Sequence, residues 1–164
     1  MPIPSSVPNL PSIKMQNHFP IQFKYHFDTT LKLIDLARLL PEKEQTAVLP
    51  IFFHVLLADG AWRSGLSGIK FTRPNPEDYP SLDSIRHAFE QEKASWMALL
   101  AGLTDEKIES QFERTNMRGE KQTAYVWKAL HQVLYHGMQH HSELAVILTN
   151  AGHSPGNIDF IFYE

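Results

Sequence analysis

Read as a string of apolar and polar positions, the chain holds four stretches with helical period. Phe23, Phe27, Leu31 and Ile34 recur at spacings of four and three, which lays one apolar stripe along a first helix. That helix follows Pro20 and stops at Pro41. A second is expected to begin between Thr46 and Pro50 and to run to about Leu66. Pro50 then falls in its first turn, where a missing N–H costs little, and Gly65 and Gly68 act as stop signals. The third starts at "SLDSI", where Ser81 or Asp83 can cap free N–H groups. It ends at "LLAGLT", with Gly102 expected in a left-handed cap. The fourth starts near Thr123 and ends at "NAG", closed by Gly152 with Pro155 beyond.

The connections differ in kind. A link of about five residues makes helices one and two antiparallel neighbours. Residues 67–80 hold Pro74, Pro76 and Pro80 and no helical pattern. Extended, such a run spans up to about 50 Å against a helix of about 30 Å, so the third helix can start at either end of the second. Before the last helix, "QFERTNMRGEKQT" suits a small hairpin around Asn116 to Gly119. The first twenty residues, "MPIPSSVPNLPSIKMQNHFP", contain five prolines. They predict an extended arm over 1–19 that drapes over the domain or a partner subunit, ahead of a single domain over 20–164. The fold class is all-α, a four-helix bundle with a long crossover loop.

Composition narrows the function classes. With 43% hydrophobic and 20% charged residues, the chain suits a soluble domain with a real core. A formal charge of −3 and no run of Lys and Arg argue against nucleic acid as a partner. The longest apolar run, Ala47 to Ala58, is interrupted by Pro50 and His54 and is too short for a bilayer, so no membrane partner is expected. The N-terminus lacks the continuous apolar region of a signal peptide. The absence of cysteine excludes disulfides, thiolate nucleophiles and Cys-ligated zinc. It is compatible with a reducing cytosol, and a cytoplasmic location is expected.

The chemistry concentrates in "HQVLYHGMQHHSELAVIL", residues 131–148, which holds four of the nine histidines. Residues four apart on a helix lie about 40° apart around its axis, so His136 and His140 share a face. Glu143 lies within about 20° of His136 by the same geometry, while His131 and His141 point elsewhere. Two imidazoles at this spacing can grip one metal ion, though a pair so spaced more often lies on the surface or in a hydrogen-bonded core. Gly137 occupies the position where an HExxH peptidase carries its general base, which removes that reaction. In "PIFFHVLLADGAW", His54 stands in the most apolar segment and is expected to be buried. A buried neutral imidazole needs a partner for each nitrogen, and a metal or a backbone carbonyl would serve.

At these residues the chain resembles the DinB-like family. "FFHVLLADGAWRSGLSG" is similar to that family's second helix, with a His, an acidic residue five on and a Trp eight on: His54, Asp59 and Trp62. The family's double-His signature falls on His136, His140 and His141, and the tail pattern on Leu148, Gly152, Pro155 and Asp159. "YPSLDSIRHAFEQEKASWMALLAGLTDEKI" resembles its third helix, and the similarity covers about 20–164. Two departures stand out: Ser142, Glu143 and Leu144 replace a frequent Arg-Gly-Gln, and His26 rather than Asn follows Tyr25.

The resemblance implies an up-down-down-up bundle, a homodimer, and a metal triad of His54, His136 and His140. Characterised relatives are metal-dependent thiol transferases that use low-molecular-weight thiols, or a thiol-dependent maleylpyruvate isomerase. Three neutral imidazoles leave an open coordination position, which marks a catalytic rather than a structural site. Zinc is the leading ion, and nickel, iron and manganese are alternatives because imidazole suits several of them. Any sulfur nucleophile must arrive as a cosubstrate, since the chain has none. Ala58 and Ala61 leave room near the ion or serve close helix packing. Glu143 is the candidate general base or outer hydrogen-bond partner. Asp59, Trp62 and His141 are candidates for groups behind the ligands or on the pocket wall. Asp59 also suits a structural hydrogen bond, and His141 a place on the surface. Two functions follow: a metal-dependent thiol transferase or small-molecule hydrolase, and a non-catalytic, dimeric metal-binding stress protein.

Overall fold

The computed structural model describes residues 14–116 and 118–164. The expected N-terminal arm lies mostly outside the described residues; at its end, Met15–Asn17 form a short 3-10 turn rather than extended chain. Five helices follow: α1 (Phe19–Ala37), α2 (Glu42–Leu66), α3 (Leu82–Ala101), the short α4 (Asp105–Glu109) and α5 (Val126–Asn150). Between α4 and α5, β1 (Gln111–Thr115) and β2 (Lys121–Tyr125) pair antiparallel with Glu113 opposite Thr123. The expected hairpin is present. Its turn is closed by Gly119 N–H donating to the Asn116 carbonyl, with Gly119 at φ 81° where a side chain would be strained. Among the described residues no helix is long and apolar enough to cross a membrane.

Several element ends differ from the pattern-based expectation, each for a local reason. α2 starts at Glu42, not between Thr46 and Pro50, so Pro50 lies inside the helix. Glu42 and Glu44 place negative charge at its N-terminus, and the Pro41 carbonyl accepts from the Glu44 and Gln45 N–H groups. The Gln45 side chain then donates to the carbonyls of Arg38 and Leu40, which ties the end of α1 to the start of α2. Ser81 caps α3 as expected, in a reciprocal box with Ser84. Gly102, however, is right-handed (φ −92°), and α3 ends by tightening its last turn. α5 starts at Val126 because Thr123 is taken up by β2. It ends as expected: Gly152 at φ 84° lets His153 N–H reach back to the Leu148 carbonyl.

α1 packs chiefly against α3 and α5, and α2 against the same two, while α1 and α2 meet over only a few residues. The two are therefore not the neighbours that their short link suggests. A short connection fixes where α2 begins, not which helices fill the grooves on either side. Phe23 packs on Trp96 and Asp35 pairs with Arg86 between α1 and α3. Phe19 meets His131, and Thr30 meets His141, between α1 and α5. Phe53 of α2 lies against Tyr79, just ahead of α3, and Arg63 bonds Glu92. The core between them is aromatic and aliphatic, with Phe19, Phe23, Phe27, Phe52, Phe89 and Trp96 fully buried. Burying such rings contributes about 1.5–3 kcal/mol each, so the bundle has a core of its own.

Candidate metal centre

α2 and α5 bring His54 opposite His136 and His140. The ring centroids lie 4.9 Å apart for His54–His136, 4.9 Å for His54–His140 and 4.7 Å for His136–His140. One ring nitrogen from each residue lies within 4.8 Å of the others, a group able to hold a metal ion. His54 Nε2 and His136 Nε2 already face each other at 3.0 Å. Four nitrogens around an ion at about 2.0–2.1 Å stand about 3.3 Å apart, a spacing near that of the His54–His136 pair and within about 1.5 Å of the widest separation in the trio. The donor set therefore fits a divalent ion.

The electrostatics favour uncharged rings. Burial, then the neighbouring His140, lowers the His54 pKa. Burial, with His140, His54 and His26 behind it, pushes His136 down to about 4. At neutral pH both rings carry no charge. His140 Nδ1 contacts Glu143 Oε2 at 2.9 Å. With Nδ1–H donating to the carboxylate, Nε2 of His140 is left as the free lone pair, an arrangement that orients imidazole ligands in metal sites. Glu143 is thus in contact with His140.

The expectation that His54 is buried fails. It is exposed, and His136 and His140 are partly so, which opens the centre to solvent on one side. Asp59 does not back the three histidines either. It is fully buried and its Oδ2 meets His26 Nε2 at 2.9 Å, because the five-residue step from His54 turns it toward α1. Burial raises the Asp59 pKa, opposed by His26. His141 is not on the surface: it is 1% exposed, bonds Thr30 Oγ1 through Nε2 at 2.8 Å and stacks on His26. Trp62 is partly buried beneath the Arg114 guanidinium, 3.7 Å from ring centre to carbon.

His26 and Asp59 form a buried polar pair that pattern reasoning did not find. Its one local trace was Gly137, an isolated glycine in the middle of a helix, which often marks close approach. A Cβ there would lie 2.3 Å from Cε1 and Nδ1 of His26. Gly137 is where a peptidase base would stand, and it is also the space that the His26 ring fills.

A bundle with a solvent-facing trio of histidines across two helices defines a class of helical protein equipped to bind a metal ion. The model of the DinB family matches residues 39–164, and the chain belongs to that family. The match begins after α1, so it includes all three histidines and α3 but not His26. Comparison with curated proteins gives no match.

Proposed function

We propose that His54, His136 and His140 hold one divalent ion, zinc first and nickel, iron or manganese as alternatives, in a metal-dependent enzyme acting on a small molecule. Three ring nitrogens converging from α2 and α5, on the side open to solvent, carry this reading. An ion held by three imidazoles supplies Lewis acidity at an open position, enough to acidify a thiol or water or to polarise an electrophile. The protein's own part is to bind and orient. His54 and His136 present uncharged nitrogens, and Glu143 fixes the tautomer and direction of His140. With no cysteine in the chain, a low-molecular-weight thiol cosubstrate accounts for transfer chemistry, and hydrolysis is the reaction that needs none.

The finer architecture belongs to the same proposal. The contacts of α1 with α3, α1 with α5 and α2 with α3 support an up-down-down-up order within a domain over 20–164. A homodimer through bundle faces is supported by the exposed Tyr135 and Val146 of α5 and by Ile161 and Phe162 in the tail. A chain without cysteine suits the cytoplasm. The test is a turnover screen of small electrophiles and esters, with and without added thiols. It compares metal-loaded protein, chelator-stripped protein and His140→Ala. Turnover that needs both the ion and His140 supports the enzyme; no turnover by the loaded protein over a broad screen favours a metal-binding protein without catalysis.

A further inference from the structure

The fold gathers a basic pocket that the sequence scatters. Lys70 and Arg73 come from the crossover after α2, Arg114 from β1 and Lys121 from β2, and with one carboxylate, Glu113, they line a cavity of about 700 Å³. That volume is in the range of small-molecule sites. In a chain of formal charge −3 this is a local excess of positive charge. Among the described residues none of the four cations takes part in an ion pair.

Arg114 is the unusual member. It is partly buried, stacked on Trp62 at 3.7 Å, and its Nε is buried without an acceptor. Burial alone lowers its pKa; no carboxylate offsets the cost. A guanidinium in this state is costly unless something anionic completes it. Gly65 explains how it gets there, because a Cβ at that position would lie 3.3 Å from the Arg114 Cβ. The glycine lets β1 close onto α2, and Trp62 holds the guanidinium plane. A planar fork so held suits two parallel hydrogen bonds to a carboxylate or phosphate.

We propose that this pocket is an anion subsite that takes the carboxylate or phosphate of a small-molecule ligand, with Arg114 as its fork and Lys70, Arg73 and Lys121 as its electrostatic rim. Ala61 lines the pocket and follows His54 by seven residues on α2. Seven residues are two turns, about 10 Å along the axis and within about 20° of the same face. Arg114 itself stacks on Trp62, eight residues after His54 and so about 12 Å along the axis, and a ligand anchored there by its anion would reach the three histidines with a group about 12 Å away. That connection rests on the metal reading above; the anion subsite does not.

The experiment titrates the metal-free full chain with inorganic phosphate and, separately, with succinate, followed by amide NMR shifts. Wild type should bind at least one probe, with shifts at Arg114 and Lys121 and affinity falling as salt is added. Arg114→Gln should lose about tenfold or more, the value of charge-assisted hydrogen bonds. Arg114→Lys, which keeps the charge but not the fork, should lose less. Lys121→Gln, at an exposed rim position, should weaken binding a few-fold if Arg114→Gln does not fold. Phosphate and succinate binding Arg114→Gln as tightly as wild type, or neither binding folded wild type at millimolar concentration, overturns the subsite. His54→Ala should keep probe binding. If it also keeps metal, the metal reading fails while the subsite stands. For the connection, α,ω-dicarboxylates of increasing length should bind metal-loaded wild type best at a span of about 12 Å and lose that optimum in His54→Ala. A flat length dependence refutes the connection.

Discussion

Replacing Gly137 by alanine sets a methyl carbon 2.3 Å from both Cε1 and Nδ1 of His26, where ordinary contact begins at 3.4 Å. The ring cannot swing clear. It is 1% exposed, holds Asp59 through Nε2, stacks on His141 and meets the Phe27 ring edge-on. Helix propensity alone favours alanine over a mid-helix glycine by about 1 kcal/mol. Against that, forcing atoms into a packed core costs about 1–3 kcal/mol. A displaced His26 also strands the buried Asp59 carboxyl, at about 1–3 kcal/mol. The net loss is about 1–5 kcal/mol, which for a chain of this size lowers Tm by about 2–20 °C. Thermal melts followed by circular dichroism measure it, with Gly102→Ala as control. A Cβ at Gly102 would meet only the Leu99 carbonyl oxygen, at 3.6 Å, so that variant should stay within about 0.5 kcal/mol of wild type. In a His26→Ala background the Gly137→Ala cost should shrink by more than about 1 kcal/mol, the mark of two residues in contact. Gly137→Ala melting at or above wild type, or costing the same in both backgrounds, would refute the clash.

Three further predictions concern the charged groups. In the metal-free protein His136 titrates near 4, well below its unfolded value. Between those values the unfolded chain binds more protons, so His136's contribution is full above about pH 6.5 and is lost as pH falls toward 4. An NMR titration checks this, and a midpoint at or above the free-imidazole value would contradict it. Glu143→Gln should weaken metal affinity by about 10–100-fold while the metal-free fold keeps its melting temperature; competition against a chelator reads the affinity, and an unchanged value counts against the orienting role. Arg63 grips Glu92 with two bonds of 2.6 and 2.9 Å, and the Glu92 side chain is only 11% exposed. Arg63→Met should cost about 2–3 kcal/mol in urea unfolding by leaving that carboxylate unpaired; a loss under about 0.5 kcal/mol would show that solvent screens the pair.

The sequence showed whatever depends on spacing along one helix. His136 and His140 share a face of any α-helix, so their proximity needs no tertiary knowledge. The hairpin was legible because turn residues sit between two five-residue runs, and the Ser81 cap because it precedes an apolar period. His54 is different. Its apolar segment singled it out but left a metal and a backbone carbonyl equally open; nothing local ties it to α5, and that tie came from the family resemblance. The pairing of His26 with Asp59 was hidden for the same reason, since each reads as a polar interruption of an apolar stripe until α1 and α2 are seen to face each other across the core. Pro50 misled the start of α2 because a proline in the first turn is the common case. Here the Gln45 side chain and the Pro41 carbonyl support a turn that begins earlier. The basic pocket drew its cations from three separate elements, so no run of Lys and Arg announced it.

One measurement bears most directly on the central claim: elemental analysis of the purified wild type beside His54→Ala, His136→Ala, His140→Ala and two control variants. His131 bonds the Trp127 carbonyl through Nδ1, and the His87 side chain is 71% exposed beside Glu90. Neither faces the trio. Wild type, His131→Ala and His87→Ala should carry one divalent ion per chain. Each variant of the trio should lose stoichiometric metal while keeping its helical circular dichroism, because the core does not depend on the ion. Full metal content in His136→Ala and His140→Ala, or loss only in His131→Ala, would contradict the assignment.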